Sequence, residues 1–336
     1  MTTDPIIRVD HVSKAFRTRS GDVQALDDVT LSVRRGTTLA VVGESGSGKT
    51  TLGRCLLGLS SWDSGTISIG EHDVAKLSKA SRGDFRRKVQ MVFQDPFASL
   101  NPRMRVGQVL EEPLLLRGRE RGARREEVLR CLEHVQLDPS YVSRYPGELS
   151  GGQAQRIGIA RAIIGQPEVV VLDEPTAALD AEVRRGIYQL LQRLQAELGL
   201  TYVLISHDLA SVAATSDAIA VMHRGRIVEY GTTEDVFERP RHPYSVALIS
   251  ASPRLGVEFV GRERVAVLRG EDVLARADQC HLSSRCPVAL EVCRSGRPAF
   301  EAVDGAHACA CWRVAEMPGV LDAAISERAL DAGQPA

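Results

Sequence analysis

The run Gly43-Glu44-Ser45-Gly46-Ser47-Gly48-Lys49-Thr50-Thr51 carries the densest chemistry in the chain. It fits the pattern G-x-x-x-x-G-K-[ST], which binds phosphate when it joins a strand to a helix. Gly43, Gly46 and Gly48 let the backbone curl so that successive N–H groups point inward at an anion. The helix start adds its partial positive charge at the same point. Ser45 and Ser47 lie in the curl. Lys49 offers a mobile cation to the β- and γ-phosphates of a nucleotide, and the Thr50 hydroxyl is placed to ligate Mg²⁺. Further along, the apolar run Val169–Leu172 ends in Asp173 and Glu174. One carboxylate suits the Mg²⁺ shell and the next suits a general base that orients and deprotonates an attacking water. Gln94 closes the apolar stretch Val89–Phe93 and can reach Mg²⁺ or that water. His207 follows the apolar run Tyr202–Ser206 and is placed to contact a γ-phosphate. Phe16, upstream of the glycine loop, either stacks on adenine or fills the core.

A second anion site is written at Leu149-Ser150-Gly151-Gly152-Gln153, which leads into a helix carrying Ile157, Ile159, Ala160, Ala162 and Ile163. Ser150 is a good N-cap, and two glycines at a helix start make another nest. Two phosphate-binding helix starts are hard to use at one site of one chain. Two copies facing head to tail would let each nest close over the other's nucleotide. Asp180 reads as the N-cap of the next helix and as a contact across that dimer.

These groups need a scaffold, and the spacing of apolar residues supplies one. Thr38–Val42 reads as a buried strand, and helical spacing follows from Thr51 to Leu59. Residues 6–13 and 25–34 alternate as strands, with a polar turn from Arg17 to Asp22 between them. Asp63-Ser64-Gly65 makes a turn into a strand over 65–70, and residues 80–88 read as a solvated helix face. Residues 96–166 turn helical, with amphipathic segments near 106–117 and 123–136. A hairpin around Arg224-Gly225 and a short helix from Thr233 complete the pattern. The 336 residues suffice for one large domain with an appendage, or for two domains. A net charge of −1 argues against a nucleic-acid binder that relies on bulk electrostatics. Met1-Thr2-Thr3-Asp4-Pro5 has no signal-peptide character, and no apolar run reaches the roughly 18 residues of a membrane span. A cytosolic protein is expected.

With Gly43–Thr51, Gln94, Leu149–Gln153, Asp173-Glu174, Asp180 and His207 in this order, the chain resembles the ATP-binding subunit of an ABC transporter over residues 6–253. The resemblance implies an α/β P-loop NTPase fold with an antiparallel β subdomain and a helical insert at about 96–166. It implies ATP and Mg²⁺ as ligands, Glu174 as general base, Gln94 as the sensor of a membrane subunit, and Ser150 to Gln153 on the partner's γ-phosphate. His207 would steady the γ-phosphate, and Phe16 matches the adenine-stacking aromatic. Ala154 departs from the family's usual larger polar residue but leaves the nest intact.

The stretches Gln94–Met104 and Arg241-His242-Pro243-Tyr244 through Pro253 look like those of di- and oligopeptide importers, a subfamily that also contains nickel transporters. That implies an ATP-hydrolysing motor for peptide import on the cytoplasmic face of the membrane. Its partners would be a homologous ATPase subunit (a heterodimer), two transmembrane permeases and an extracytoplasmic substrate-binding protein. The alternatives are the same motor for nickel or another small solute, or a soluble ABC ATPase that binds nucleic acid. The expected division is 1–254 for the ATPase domain, 255–314 for a small irregular cysteine-containing lobe and 315–336 for a tail, with a short strand near Arg264–Leu268.

Cys55 and Cys131 are isolated and read as small core residues. Cys280, Cys286, Cys293, Cys309 and Cys311 cluster in the last sixth of the chain, which in a reducing compartment suggests metal. The resemblance matches Cys280, Cys286, Cys293 and Cys311, with Cys309 extra. Four thiolates could hold a [4Fe–4S] cluster or zinc. Spacings looser than C-x₂-C tilt the choice toward iron–sulfur, and reduced free thiols are the remaining alternative.

Overall fold

The computed structural model describes residues 4–18, 21–118, 120–251, 268 and 278–317. The chain opens with β1 (Pro5–Thr18), β2 (Gly21–Arg34), β3 (Thr38–Val42), α1 (Lys49–Leu56), β4 (Ser64–Ile69) and β5 (His72–Asp73). There follow α2 (Lys79–Lys88), β6 (Val89–Val92), α3 (Pro96–Ser99), α4 (Val106–Leu116), α5 (Arg121–His134) and α6 (Gly151–Ile163). Next come β7 (Val169–Asp173), α7 (Ala181–Leu198), β8 (Thr201–Ser206), α8 (Leu209–Thr215), β9 (Ala218–His223) and β10 (Arg226–Thr232). The described elements end with α9 (Thr233–Glu238), α10 (Pro243–Ser250), α11 (Val292–Ser295), β11 (Glu301–Asp304) and β12 (His307–Cys309).

Two compact units divide the chain. The first comprises Met1–Asp10, Leu31–Thr38 and Thr50–Ser206. Here β6, β7 and β8 are parallel neighbours, with Val92 opposite Leu172 and Leu172 opposite Leu204. Every residue of β7 and β8 is buried, as expected where helices cover both faces of a parallel sheet and alternation disappears. The long helix α7 buries Ile187, Leu190, Leu191 and Leu194 at helical spacing and stops at Gly199, whose φ of 67° only glycine adopts without strain. The same unit holds β4 and β5, which pair antiparallel at one end of a four-stranded sheet ordered β2-β1-β4-β5.

The second unit comprises His11–Thr30, Leu39–Lys49 and His207–Ala336. Its strand β3 runs parallel to β9, with Val41 opposite Ala220. The β9–β10 hairpin is antiparallel, and β12 pairs with β10 through Glu229 opposite Cys309. Strand β11 closes the outer edge against β12. The C-terminal stretch therefore differs from the irregular lobe expected of it: residues 301–309 extend the hairpin's sheet. Buried Glu229 anchors this arrangement. Its carboxylate accepts from the backbone N–H groups of Arg241 at 2.6 Å and His242 at 3.0 Å, and lies 2.8 Å from His307 Nε2. A fully buried charge is tolerable only with donors of this kind.

Several local expectations need correction. The turn between β1 and β2 is shorter than Arg17–Asp22, because β1 runs to Thr18 and β2 starts at Gly21. Phe16 is not a core residue: it is 43% exposed, with the Lys14 ammonium 5.2 Å from its ring centre. Strand β6 stops at Val92, its last rung with β7, and leaves Phe93 40% exposed. Helix α1 ends at Leu56 rather than Leu59, where Gly58 turns left-handed at φ 63°. Cys55 and Cys131 are buried as expected, and burial pushes the Cys131 thiol up to about 12. The expected strand near Arg264–Leu268 lies outside the described residues except for Leu268, and so does most of the 315–336 tail.

Candidate functional site

In the second unit the glycine loop leaves fully buried β3 and is shaped by close backbone contact. Gly43 sits at φ 152°, and a Cβ there would come within 2.1 Å of the Met222 carbonyl oxygen. At Gly48 a Cβ would lie 2.2 Å from the Ala25 carbonyl oxygen, at φ 106°. Both positions therefore exclude any side chain, as a backbone cradle requires. The β9–β10 hairpin braces the loop from behind: the Gly225 N–H donates to the Ser47 carbonyl at 2.8 Å. Buried Lys49 donates through Nζ to the carbonyl oxygens of Gly43 at 2.8 Å and Glu44 at 2.7 Å, and approaches Ser47 Oγ at 3.4 Å. The ammonium is thus held at the loop, where a phosphate would draw it. Ser45 and Gly46 are exposed at the bend. His207 is exposed between β8 and α8, and Phe16 lies exposed near the end of β1.

In the first unit the Thr50 hydroxyl lies 3.4 Å from an oxygen of buried Asp173. Two of the three groups read as Mg²⁺ ligands therefore share one spot, with Asp173 at the end of β7 and Thr50 in the first turn of α1 beside Thr51. Gln94 Nε2 lies 3.4 Å from Glu174 Oε2. Glu174 adopts φ 45°, a left-handed conformation that costs a non-glycine residue on the order of 1–3 kcal/mol. Its N–H donates to the Ile205 carbonyl at 2.9 Å, which holds the strained turn in place. Sequence reading carried no signal of this strain.

The second glycine-rich helix start lies in the first unit. Ser150 caps α6, its hydroxyl accepting from the Gln153 N–H at 3.3 Å, while Gln153 Oε1 accepts from the Ser150 N–H at 2.9 Å. That reciprocal pair is a capping box. Gln153 Nε2 also donates to the Tyr141 hydroxyl at 2.8 Å. Gly151 and Gly152 are packed against the next segment: added Cβ atoms would lie 3.4 Å from Leu179 and 2.6 Å from Val183. Asp180 caps α7 by accepting from the Val183 N–H at 2.9 Å.

In the second unit Cys280, Cys286, Cys293 and Cys311 line a single pocket together with His242, Leu282, Pro298 and Trp312. Burial, then the charges of neighbouring cysteines, pushes Cys286 up to about 12, while burial is the leading cause that raises Cys311 to about 11. Cys309 is buried separately on β12 beside Glu229 and does not line that pocket. Among the described residues, no three of these sulfurs lie mutually within 4.8 Å. A single zinc ion with Zn–S bonds of about 2.3 Å would need its sulfurs closer than that. The one acid–histidine group that is so close, Glu71, His72 and Asp84, already receives the Lys88 ammonium, 3.4 Å from Asp84.

The chain matches two family models: "ABC transporter" over residues 26–177, and "Oligopeptide/dipeptide transporter, C-terminal region" over residues 228–293. It is 43% identical over 317 residues to a putative peptide import ATP-binding protein of Brucella ovis, covering 93% of this chain and 99% of that one. It is 44% identical over 306 residues to the dipeptide transport ATP-binding protein DppF of Haemophilus influenzae, covering 90% and 93%. Among solved structures it is similar to the dimeric ATP-binding cassette MJ0796 bound to ADP and Pi (TM-score 0.62, 29% identity), covering 68% of this chain and 98% of that chain. The structure of cbiO1 from Clostridium perfringens, part of the ABC transporter complex cbiONQ, gives a TM-score of 0.64 at 28% identity, covering 73% and 95%. The chain belongs to the ABC transporter family, as one of its ATP-binding subunits. It is an ATPase, and ATP with Mg²⁺ fits the groups described above.

Proposed function

We propose that this chain is the ATP-hydrolysing motor of a di- or oligopeptide importer. The observation that carries this reading is the peptide-transporter C-terminal match at 228–293, downstream of the cassette match on the same chain. Near-full-length similarity to proteins named for peptide import supports it. Residues 1–254 serve as the motor, 255–314 as the subfamily's cysteine-bearing region and 315–336 as a tail.

The motor works as a pair of homologous chains that sandwich two ATP molecules. Gly43–Thr51 of one chain cradles the phosphates, with Thr50, Asp173 and Gln94 as the residues that would hold Mg²⁺. Ser150–Gln153 of the other chain closes over the γ-phosphate, and Asp180 meets the partner across the interface. Glu174 takes the proton of the attacking water, His207 steadies the γ-phosphate and Phe16 stacks on adenine. Closure moves the helical insert and, through the Gln94 loop, rearranges two permease subunits served by an extracytoplasmic binding protein. No helix among the described residues is long and apolar enough to cross a membrane, so attachment falls to those permeases.

Cys280, Cys286, Cys293 and Cys311 would hold a [4Fe–4S] cluster. Such a cluster would tie α11, through Cys293, to the segments that carry the other three cysteines, and would supply a one-electron centre when bound. Cys280, Cys286, Cys293 and Cys311 would each offer one thiolate, and a pocket in which no three of these sulfurs lie mutually within 4.8 Å suits a multi-iron group better than a single ion. Anaerobic purification tests this: about four iron per chain with a visible band that bleaches on reduction is expected, and one zinc or no metal would refute it.

Reconstitution of the whole complex in vesicles tests the transport reading. ATP-dependent uptake of labelled di- or oligopeptides is expected. Uptake of nickel without peptide would reassign the cargo, and neither activity would remove the import role.

A further inference from the structure

The phosphate loop has a support from far along the chain. The Glu44 N–H donates to the Tyr244 hydroxyl at 2.9 Å, across 200 residues of sequence and within the second unit. Tyr244 lies in the first turn of α10 and is fully buried. Its ring rests on that of His223 at 4.4 Å between centroids. Its backbone N–H donates to His242 Nδ1 at 3.1 Å, and burial lowers His242 to about 3, so that nitrogen stays an acceptor. The hydroxyl is therefore fixed in place before any nucleotide arrives.

The peptide it holds matters to the reaction. Glu44 offers its N–H to Tyr244 and its carbonyl oxygen to Lys49 Nζ. A shift at Glu44 would carry the lysine's resting place with it. A second tie reaches the same residue from the other side: the Arg285 guanidinium lies 3.8 Å from the Glu44 carboxylate. Arg285 belongs to the cysteine-bearing stretch, and Tyr244 to the His242-Pro243-Tyr244 segment.

We propose that Tyr244 is a positioning residue for ATP hydrolysis, holding the Glu44 peptide and through it Lys49, with Arg285 as a weaker second tie on the Glu44 side chain. The C-terminal part of the chain thereby sets the phosphate loop's geometry. Tyr244→Phe keeps the ring against His223 and removes only the hydroxyl.

Steady-state ATPase kinetics of the full chain in its assembled complex test this. Tyr244→Phe is expected to lower kcat/KM mainly through KM for MgATP, which rises about five- to tenfold, the effect of one lost part-buried hydrogen bond. Arg285→Ala is expected to raise KM by about twofold, as an exposed ion pair would. In a Glu44→Ala background the Arg285→Ala effect should vanish, while the Tyr244→Phe effect persists because it acts on the backbone. An unchanged KM in Tyr244→Phe overturns the proposal, whatever happens to the melting temperature. If that variant fails to fold, the Glu44/Arg285 cycle decides: additive effects on KM overturn the ties, and coupling supports them.

Discussion

Two glycine-rich helix starts in this molecule look alike in sequence and are built differently. At Gly43–Lys49 the glycines are demanded by the backbone: positive φ, and carbonyl oxygens 2.1 and 2.2 Å from where a Cβ would stand at Gly43 and Gly48. At Gly151–Gln153, behind the extended N-cap Ser150, the backbone is ordinary helix, and the space is limited by the side chains of Leu179 and Val183. The first is a closed cradle that fits one ligand geometry. The second is a capped helix end that remains presentable to another molecule. In the pairing proposed above, a phosphate enclosed by its own chain would need the first kind, and one offered by a facing chain the second.

Substitutions can break or sharpen that contrast. Gly43→Ala carries the largest effect. Strain of about 3 kcal/mol or more should weaken ATP binding about 100-fold, measured by titration with a fluorescent ATP analogue. Binding within a few-fold of the native chain would mean the cradle tolerates rearrangement. Ser150→Ala removes the cap of α6 and should cost about 1 kcal/mol of stability, read in a denaturant melt. A larger loss would show the capping box to be a structural anchor. Gly152→Ala should lower stability by about 1 kcal/mol, because overpacking against Val183 outweighs the helix propensity gained. Gly151→Ala meets Leu179 only at contact distance and should change stability by less than about 0.5 kcal/mol. If Gly151→Ala proved as damaging as Gly43→Ala, the distinction between the two starts would collapse.

Local chemistry was legible in the sequence wherever neighbours along the chain determine it. The strand Thr38–Val42, the caps at Ser150 and Asp180, the hairpin at Arg224-Gly225 and the buried run ending in Asp173 all rest on periodicity or on residues three apart. What could not be read is set by distant packing. The approach of Thr50 to Asp173 spans 123 residues, and that of Tyr244 to Glu44 spans 200. The left-handed Glu174 is imposed by the Ile205 carbonyl rather than by its own type. Strands β1 and β2 outran their expected turn because Arg17, Thr18, Gly21 and Asp22 are polar yet sit in exposed strand. The cysteines are a middle case. Their clustering marked all five, the resemblance marked the four that meet in one pocket, and neither could show that β12 would seat Cys309 apart from them.

The most direct measurement is single-turnover hydrolysis of MgATP by the full chain in its complex, native against Glu174→Gln. If Glu174 is the general base in a preformed phosphate cradle, the variant binds ATP as before and hydrolyses it roughly 10²–10⁴-fold more slowly. Unchanged turnover, or a loss of binding in place of a loss of rate, would contradict the account.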